Sequence, residues 1–229
     1  MIDLLRAAGS VQQVCERHRW RFCFIGGIAV QRWGEPRLTQ DVDVTILTGF
    51  GKERDFILAL LKRFVPRVKD ALEFALKNRV LLVKTRGGVD VDVSLGAMPF
   101  EESVVRRASP YQFLPKLKLI TCSAEDLIVL KAFANRPKDW MDIEGVVTRQ
   151  QRRLSWAYIW KQLRPLVDLK EEPEILATLK RLHRQVQTTT VYVTHDQEEA
   201  MTLGDRVVVL KDGVIHQCGT PYEVYEQPV

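Results

Sequence analysis

Strict alternation of polar and apolar side chains over residues 41 to 47, Asp-Val-Asp-Val-Thr-Ile-Leu, predicts a half-buried β-strand. Upstream, Leu4, Leu5, Ala8, Val11, Val14 and Cys15 recur at helical spacing and predict a helix over Ile2 to about His18 with one buried face. A short apolar run, Phe22 to Ile25, closed by Gly26-Gly27, reads as a buried strand feeding a turn, followed by a short helix from Ile28 to Trp33 and a Gly34-Glu35-Pro36 breaker. Ala59, Leu60, Leu61, Phe64 and Val65 predict a helix ended by Pro66, with a second helical piece around Leu72 to Leu76. Val80 to Lys84 and Val89 to Leu95, separated by Arg86-Gly87-Gly88, form a hairpin pattern.

From Ser123 the period becomes helical, with Leu127, Leu130, Lys131 and Ala134 on related faces and Trp140, Ile143, Val146 and Val147 on a helix beyond Pro137. Further helices are expected around Trp156 to Leu163 and Pro173 to Gln185. Beyond them the pattern shifts to a β-branched strand at Thr189 to Thr194, a short helix at Gln197 to Leu203, and two strands, Arg206 to Leu210 and Val214 to Gln217, joined by Lys211-Asp212-Gly213. The expected fold class is α+β, a small mixed sheet with helices, then a helical half and a short β-rich tail. We take 1–120 as the sheet domain, 121–187 as the helical region that completes it, and 188–229 as the tail.

Composition narrows the class without changing this picture. At 229 residues, 46% hydrophobic and 28% charged, the chain is an ordinary globular sequence, and no stretch has the roughly 20 apolar residues of a membrane span. With no signal-peptide pattern at the start, the expected compartment is the cytoplasm. Cys15, Cys23, Cys122 and Cys218 form no C-x-x-C pair, so zinc ribbons and thioredoxin-like motifs drop out and the thiols are expected to be reduced. The formal charge of +5 conceals a break: from Val186 onward there are two basic residues (Arg206, Lys211) and seven acidic ones, which leaves +10 on the body and −5 on the tail. A basic body suits a polyanionic partner.

Residues two apart on a strand share a face, so Asp41 and Asp43 project together while Val42 and Val44 point into the core. Two adjacent carboxylates repel unless a cation lies between them, and Mg²⁺ typically binds through one or two carboxylates plus substrate phosphates. A second same-facing pair, Asp90 and Asp92, sits on a later strand. If the strands are neighbours, three carboxylates converge on one or two metals, an arrangement that polarises a phosphoryl group. Gly26-Gly27 at a strand-to-helix turn lets backbone N–H groups approach a phosphate, and Arg37 and Thr39 add a cation and a hydroxyl just before the acidic pair.

The run GGIAVQRWGEPRLTQDVDVTIL at 26 to 47 resembles the signature of the DNA polymerase β-like nucleotidyltransferase superfamily, closest to its AbiEii-type minimal members. The resemblance covers about residues 20–180. It implies a nucleotidyltransferase fold, Mg²⁺ or Mn²⁺ held by Asp41 and Asp43, a nucleoside triphosphate substrate, and a third carboxylate in GVDVDVSLG, Asp92 ahead of Asp90. KAFANRPKDWMDI at 131 to 143 resembles the family's downstream block, in which Lys131 would face the triphosphate, with Asp139 and Asp142 beside it. The implied activity moves a nucleoside monophosphate to a hydroxyl of an RNA, tRNA among the choices, or of a protein. Some members are toxins, which implies a cognate antitoxin as partner; the alternative is a nucleotide-binding or partner-binding module with weak catalysis.

From about Thr188, TTTVYVTHDQEEAMTLGDRVVVLKDGVIHQCGTPYEVYEQP resembles the ATP-binding subunit of sugar-importer ABC transporters, in which the residue at His195 would sense the γ-phosphate. The chain carries no G-x-x-x-x-G-K-[ST], LSGGQ-like signature or apolar strand ending in Asp-Glu, so an importer ATPase is the least favoured reading. His195 is expected to have no catalytic role, and the fused tail, with open strand edges, to dock loosely or to be poorly ordered.

Overall fold

The computed structural model describes residues 1–185 and 191–228. Helix α1 (Ile2–Arg17) leads into β1 (Phe22–Phe24), α2 (Gly26–Trp33) and β2 (Asp41–Leu47). Next come α3 (Glu53–Leu61), the two-residue β3 (Val65–Pro66), α4 (Ala71–Asn78) and the hairpin β4 (Val80–Lys84) and β5 (Asp90–Gly96). Helix α5 (Pro99–Arg107) connects to a second hairpin, β6 (Ser109–Leu114) and β7 (Leu117–Thr121). A run of helices follows: α6 (Ala124–Ala134), α7 (Pro137–Gln150), α8 (Trp156–Lys170) and α9 (Glu174–Gln185). The described part of the tail holds α10 (Gln197–Leu203), β8 (Val207–Lys211), β9 (Val214–Gly219) and α11 (Pro221–Glu226).

Seven strands form one mixed sheet in the order β3-β4-β5-β2-β1-β7-β6. β5 runs parallel to β2 and β1 parallel to β7, while the remaining neighbours are antiparallel. Alternation along the strands sorts side chains between two cores. Val42, Val44 and Ile46 of β2, with Leu81, Val83, Val91 and Val93, pack on one face against α1, α3 and α4. On the other side, Cys23 and the apolar faces of α2, α6, α7, α8 and α9 build a second core around Ile28's neighbours Ala29 and Val30, Leu127, Ile143, Trp156 and Ile159. Because one face of β2 and β5 is sealed by valines, the polar residues between those valines are turned toward the opposite side.

Three expectations change. Pro66 does not end a helix: α3 stops at Leu61, and Val65-Pro66 pairs with Val83 and Lys84 as an edge strand, where a residue without an N–H is tolerated. Helix α5 and the β6–β7 hairpin fill a stretch whose pattern predicted no element. In the tail, residues 191–194 form no strand, and the rest of the expected strand lies outside the described residues.

Helix α9 buries Ile175, Leu179 and Leu182 in the second core, and its His183 ring stacks on Trp156 at 4.0 Å. Downstream, Lys180 donates to the Thr202 carbonyl at 2.7 Å and Arg184 pairs with Asp205 at 2.7 Å, while β8 and β9 form a separate two-stranded sheet with Val208, Leu210, Val214 and Ile215 exposed. No helix among the described residues is long and apolar enough to cross a membrane.

Candidate active site

Parallel pairing of β2 with β5 places Asp41 opposite Asp90 and Asp43 opposite Asp92. Asp41, Asp43 and Asp92 each present a carboxylate oxygen such that all three lie within 4.8 Å of one another. Each is held by a different group. The Thr39 hydroxyl donates to Asp41 Oδ1 at 3.2 Å. Asp43 accepts from the Gly27 N–H. Asp92 is engaged by the Arg67 guanidinium. Asp90 lies outside the trio and is paired instead with Arg67 at 3.3 Å and Lys84 at 3.9 Å.

Crowding raises the Asp43 carboxyl from its ordinary range to about 6: burial is the main cause, the charges of Asp41 and Asp92 add to it, and the Gly27 N–H and Lys131 oppose it. A group so raised, among same-signed neighbours, is what a bound cation would relieve. Three hard oxygen donors on two rigid strands fit a divalent ion such as Mg²⁺.

The glycine pair at the start of α2 is explained by what touches it. Gly26 has φ of +55°, and a Cβ there would stand 1.9 Å from Asp43 Oδ2; a Cβ on Gly27 would stand 2.2 Å from Thr39 Oγ1. The turn therefore admits the Asp43 carboxylate and the Thr39 side chain against bare backbone. Gly26→Ala is expected to cost about 2 kcal/mol from the left-handed backbone alone, and to displace Asp43. The check is a thermal melt with and without Mg²⁺: a variant that keeps the wild-type melting temperature and its response to Mg²⁺ contradicts this account.

Lys131, on α6, is 7% exposed and lies between two buried carboxylates of α7, 2.9 Å from Asp139 and 2.6 Å from Asp142. Arg37 closes on Asp142 with two bonds of 2.6 and 2.8 Å. Arg136 closes on Asp139 at 2.5 Å while remaining 59% exposed. Burial works to raise the Asp139 and Asp142 carboxyls, but hydrogen bonds from the arginines and Lys131 win and hold both below the usual range. The charges of Asp41 and Asp43 reach Arg136, and that of Asp41 reaches Arg37, so this cationic bank borders the acidic trio.

Arg136 and Arg67 are not singled out by the sequence. For Arg136 a signal exists, since it stands three residues before Asp139 at helical pairing distance. Arg67 gives none, because its carboxylate partners lie more than twenty residues away across β4. In the tail, His195 is exposed and not among the residues grouped at the trio.

A family model described as "Nucleotidyl transferase AbiEii toxin, Type IV TA system" matches residues 13–191. A 62-residue stretch, 27% of the chain, is 55% identical to the sulfoquinovosyl glycerol transport ATP-binding protein SmoE of Agrobacterium fabrum and 53% identical to the oligosaccharides import ATP-binding protein MsmX of Bacillus subtilis. The chain spans 17% of the length of those relatives. A stretch of 62 residues carrying the tail is too long to begin at Thr188, so it takes in α9 and overlaps the AbiEii match. Among solved structures, an antigenic nucleotidyltransferase-like protein from Paracoccidioides brasiliensis is 17% identical, with a TM-score of 0.45 over 78% of this chain and 93% of that one. The antibiotic-resistance factor ANT(2'')-Ia is 13% identical, with a TM-score of 0.47 over 79% and 97%.

Proposed function

The chain belongs to the AbiEii nucleotidyltransferase family, and from that premise we propose that it moves a nucleoside monophosphate from a nucleoside triphosphate to a hydroxyl, with pyrophosphate leaving and Mg²⁺ or Mn²⁺ required. The observation that carries this reading is the convergence of Asp41, Asp43 and Asp92 from two adjacent parallel strands. When bound there, the metal offsets charge on the phosphoryl group and helps align attacking and leaving oxygens. Asp41 and Asp43 would hold it against the triphosphate, and Asp92 would serve the acceptor hydroxyl. Gly26 and Gly27 leave room for close backbone approach at the start of α2. Arg37 and Thr39 border the trio, exposed Arg136 contacts the triphosphate, and buried Lys131 supports it through Asp139 and Asp142 and the positive field it adds.

The acceptor in this reading is an RNA, tRNA among the candidates, or a protein side chain; the +10 body favours a polyanion. The physiological role is that of a toxin held in check by a cognate antitoxin, in the cytoplasm. The test is to incubate the purified chain with each α-labelled nucleoside triphosphate, Mg²⁺ and total RNA, then separate RNA from protein. Metal-dependent label in either fraction is the expected result. Metal-dependent nucleotide binding with no label in either fraction would replace the enzyme with a nucleotide-binding module.

The raised Asp43 carboxyl adds a pH signature. Because its folded value, about 6, lies above the ordinary carboxylate value, Asp43 stabilises the metal-free fold below about pH 4, and that contribution is lost as pH rises through 6. A divalent cation restores it once Asp43 is ionised. Mg²⁺ is therefore expected to raise the melting temperature more at pH 7.5 than at pH 5, and an equal rise at both would contradict the assignment.

A further inference from the structure

We propose that Arg67 is a positioning residue for the third carboxylate: it holds Asp92 toward the trio and, by its charge, keeps the affinity for the metal moderate. The proposal rests on the metal-dependent reading above. Arg67 directly follows edge strand β3, and its backbone N–H donates to the Leu82 carbonyl at 3.0 Å, which extends the β3–β4 ladder by one rung. Leu82 is the residue of β4 opposite Asp92 on β5. The backbone bond thus sets the arginine one strand away from the acidic face, and its side chain crosses β4 to reach it. The guanidinium bonds Asp92 Oδ1 through one terminal nitrogen and lies 3.3 Å from Asp90 Oδ2 through Nε. The Arg67 side chain is 26% exposed and that of Asp92 32%, so the contact is only partly shielded from water.

This geometry does two things at once. A planar guanidinium on Asp92 Oδ1 restrains the rotamer of a carboxylate whose group lies with Asp41 and Asp43, and leaves its second oxygen outside that bond. The same unit of positive charge, in contact with one of the metal's ligands, opposes the approach of a divalent cation, a like-charge repulsion that falls off with distance and with screening by water. Lys84 adds a second, more exposed cation on Asp90. Asp90 shares Arg67 with Asp92, and so anchors the arginine that aims its neighbour. Removing the guanidinium should therefore move metal affinity and turnover in opposite directions, since the trio gains net negative charge while Asp92 loses its alignment. A residue with a purely structural role would lower both together or change only the melting temperature.

The test uses the full chain, with Mn²⁺ binding to the metal-free protein measured by titration calorimetry and by loss of the free-ion paramagnetic signal, beside the labelled transfer assay. Arg67→Met is expected to bind Mn²⁺ about tenfold more tightly, and to transfer label at least tenfold more slowly at saturating metal. Arg67→Lys should return the Mn²⁺ affinity to near wild type while recovering transfer only in part, because an ammonium restores the charge without the planar clamp. Should Arg67→Met fail to fold, Arg67→Gln is measured in its place. Unchanged or weaker Mn²⁺ affinity in the neutral variant overturns the proposal while the metal-site reading stands. Wild-type protein that binds no Mn²⁺ overturns the metal-site reading itself, and the proposal with it.

Discussion

Asp43→Asn is expected to lower transfer by at least about a thousandfold, some 4 kcal/mol of lost transition-state stabilisation, while raising the melting temperature of the metal-free protein at pH 7.5. The two effects share one cause. Asp43 is half-buried beside Asp41 and Asp92, and its carboxyl is pushed up to about 6, so its ionised form is held against both desolvation and repulsion at neutral pH. Asparagine keeps the shape and an oxygen that accepts from the Gly27 N–H, and it removes the charge a cation needs. A fold that becomes more stable as its site becomes inert is what a stability–activity trade-off predicts. The check is a pair of measurements on one preparation: label transferred per unit time, and a melt in the presence of a chelator. Transfer within tenfold of wild type would remove Asp43 from the metal set, and a lower melting temperature would remove the repulsion account. The double variant Asp41→Ala Asp43→Ala serves as the inactive control.

The second large effect is expected at Lys131→Met. The ammonium bridges Asp139 and Asp142, which are 0% and 3% exposed, and its loss leaves two buried carboxylates with one arginine each. Breaking a buried ion pair by removing one partner costs about 3–5 kcal/mol, which for a chain of this size corresponds to a fall in melting temperature on the order of 10 °C. The sign of its pH dependence follows from the carboxylates. Both are held below the usual range in the wild type, so their stabilising contribution is present above the ordinary carboxylate value and is lost as pH falls through the lowered one. The gap between wild type and variant should be wide at pH 7 and narrow below about pH 4, where the orphaned carboxylates take up protons. A gap that stays constant across that range would show that packing of the lysine stem, rather than its charge, is what the variant removes.

How much of this is legible in the chain depends on how far apart the partners lie. Valines at 42 and 44 and at 91 and 93 state the period of two directly, and from that period the shared face of Asp41, Asp43, Asp90 and Asp92 follows. The parallel register that selects Asp92 over Asp90 is a tertiary fact, because only the pairing of β2 with β5 decides which carboxylate meets Asp43. The β6–β7 hairpin is hard to read because it turns at Pro115-Lys116 without a glycine and its burial does not alternate cleanly. Pro66 misleads for a related reason: a proline after an apolar run commonly ends a helix, yet an edge strand accepts it equally well. Lys131 and Arg37 are visible as cations, whereas their commitment to Asp139 and Asp142 depends on how α6, α7 and the loop before β2 pack together.

Helix α9 lies within both resemblances, the one that matches up to residue 191 and the 62-residue one that reaches into the tail. It meets the second core through Ile175, Leu179 and Leu182, one stripe at i, i+4 and i+7. A slot that recognises a stripe asks for spacing and approximate volume, and cores tolerate exchange of one hydrophobic side chain for another on those terms. An amphipathic helix that keeps this stripe can therefore differ elsewhere along its length, and the core it faces still closes.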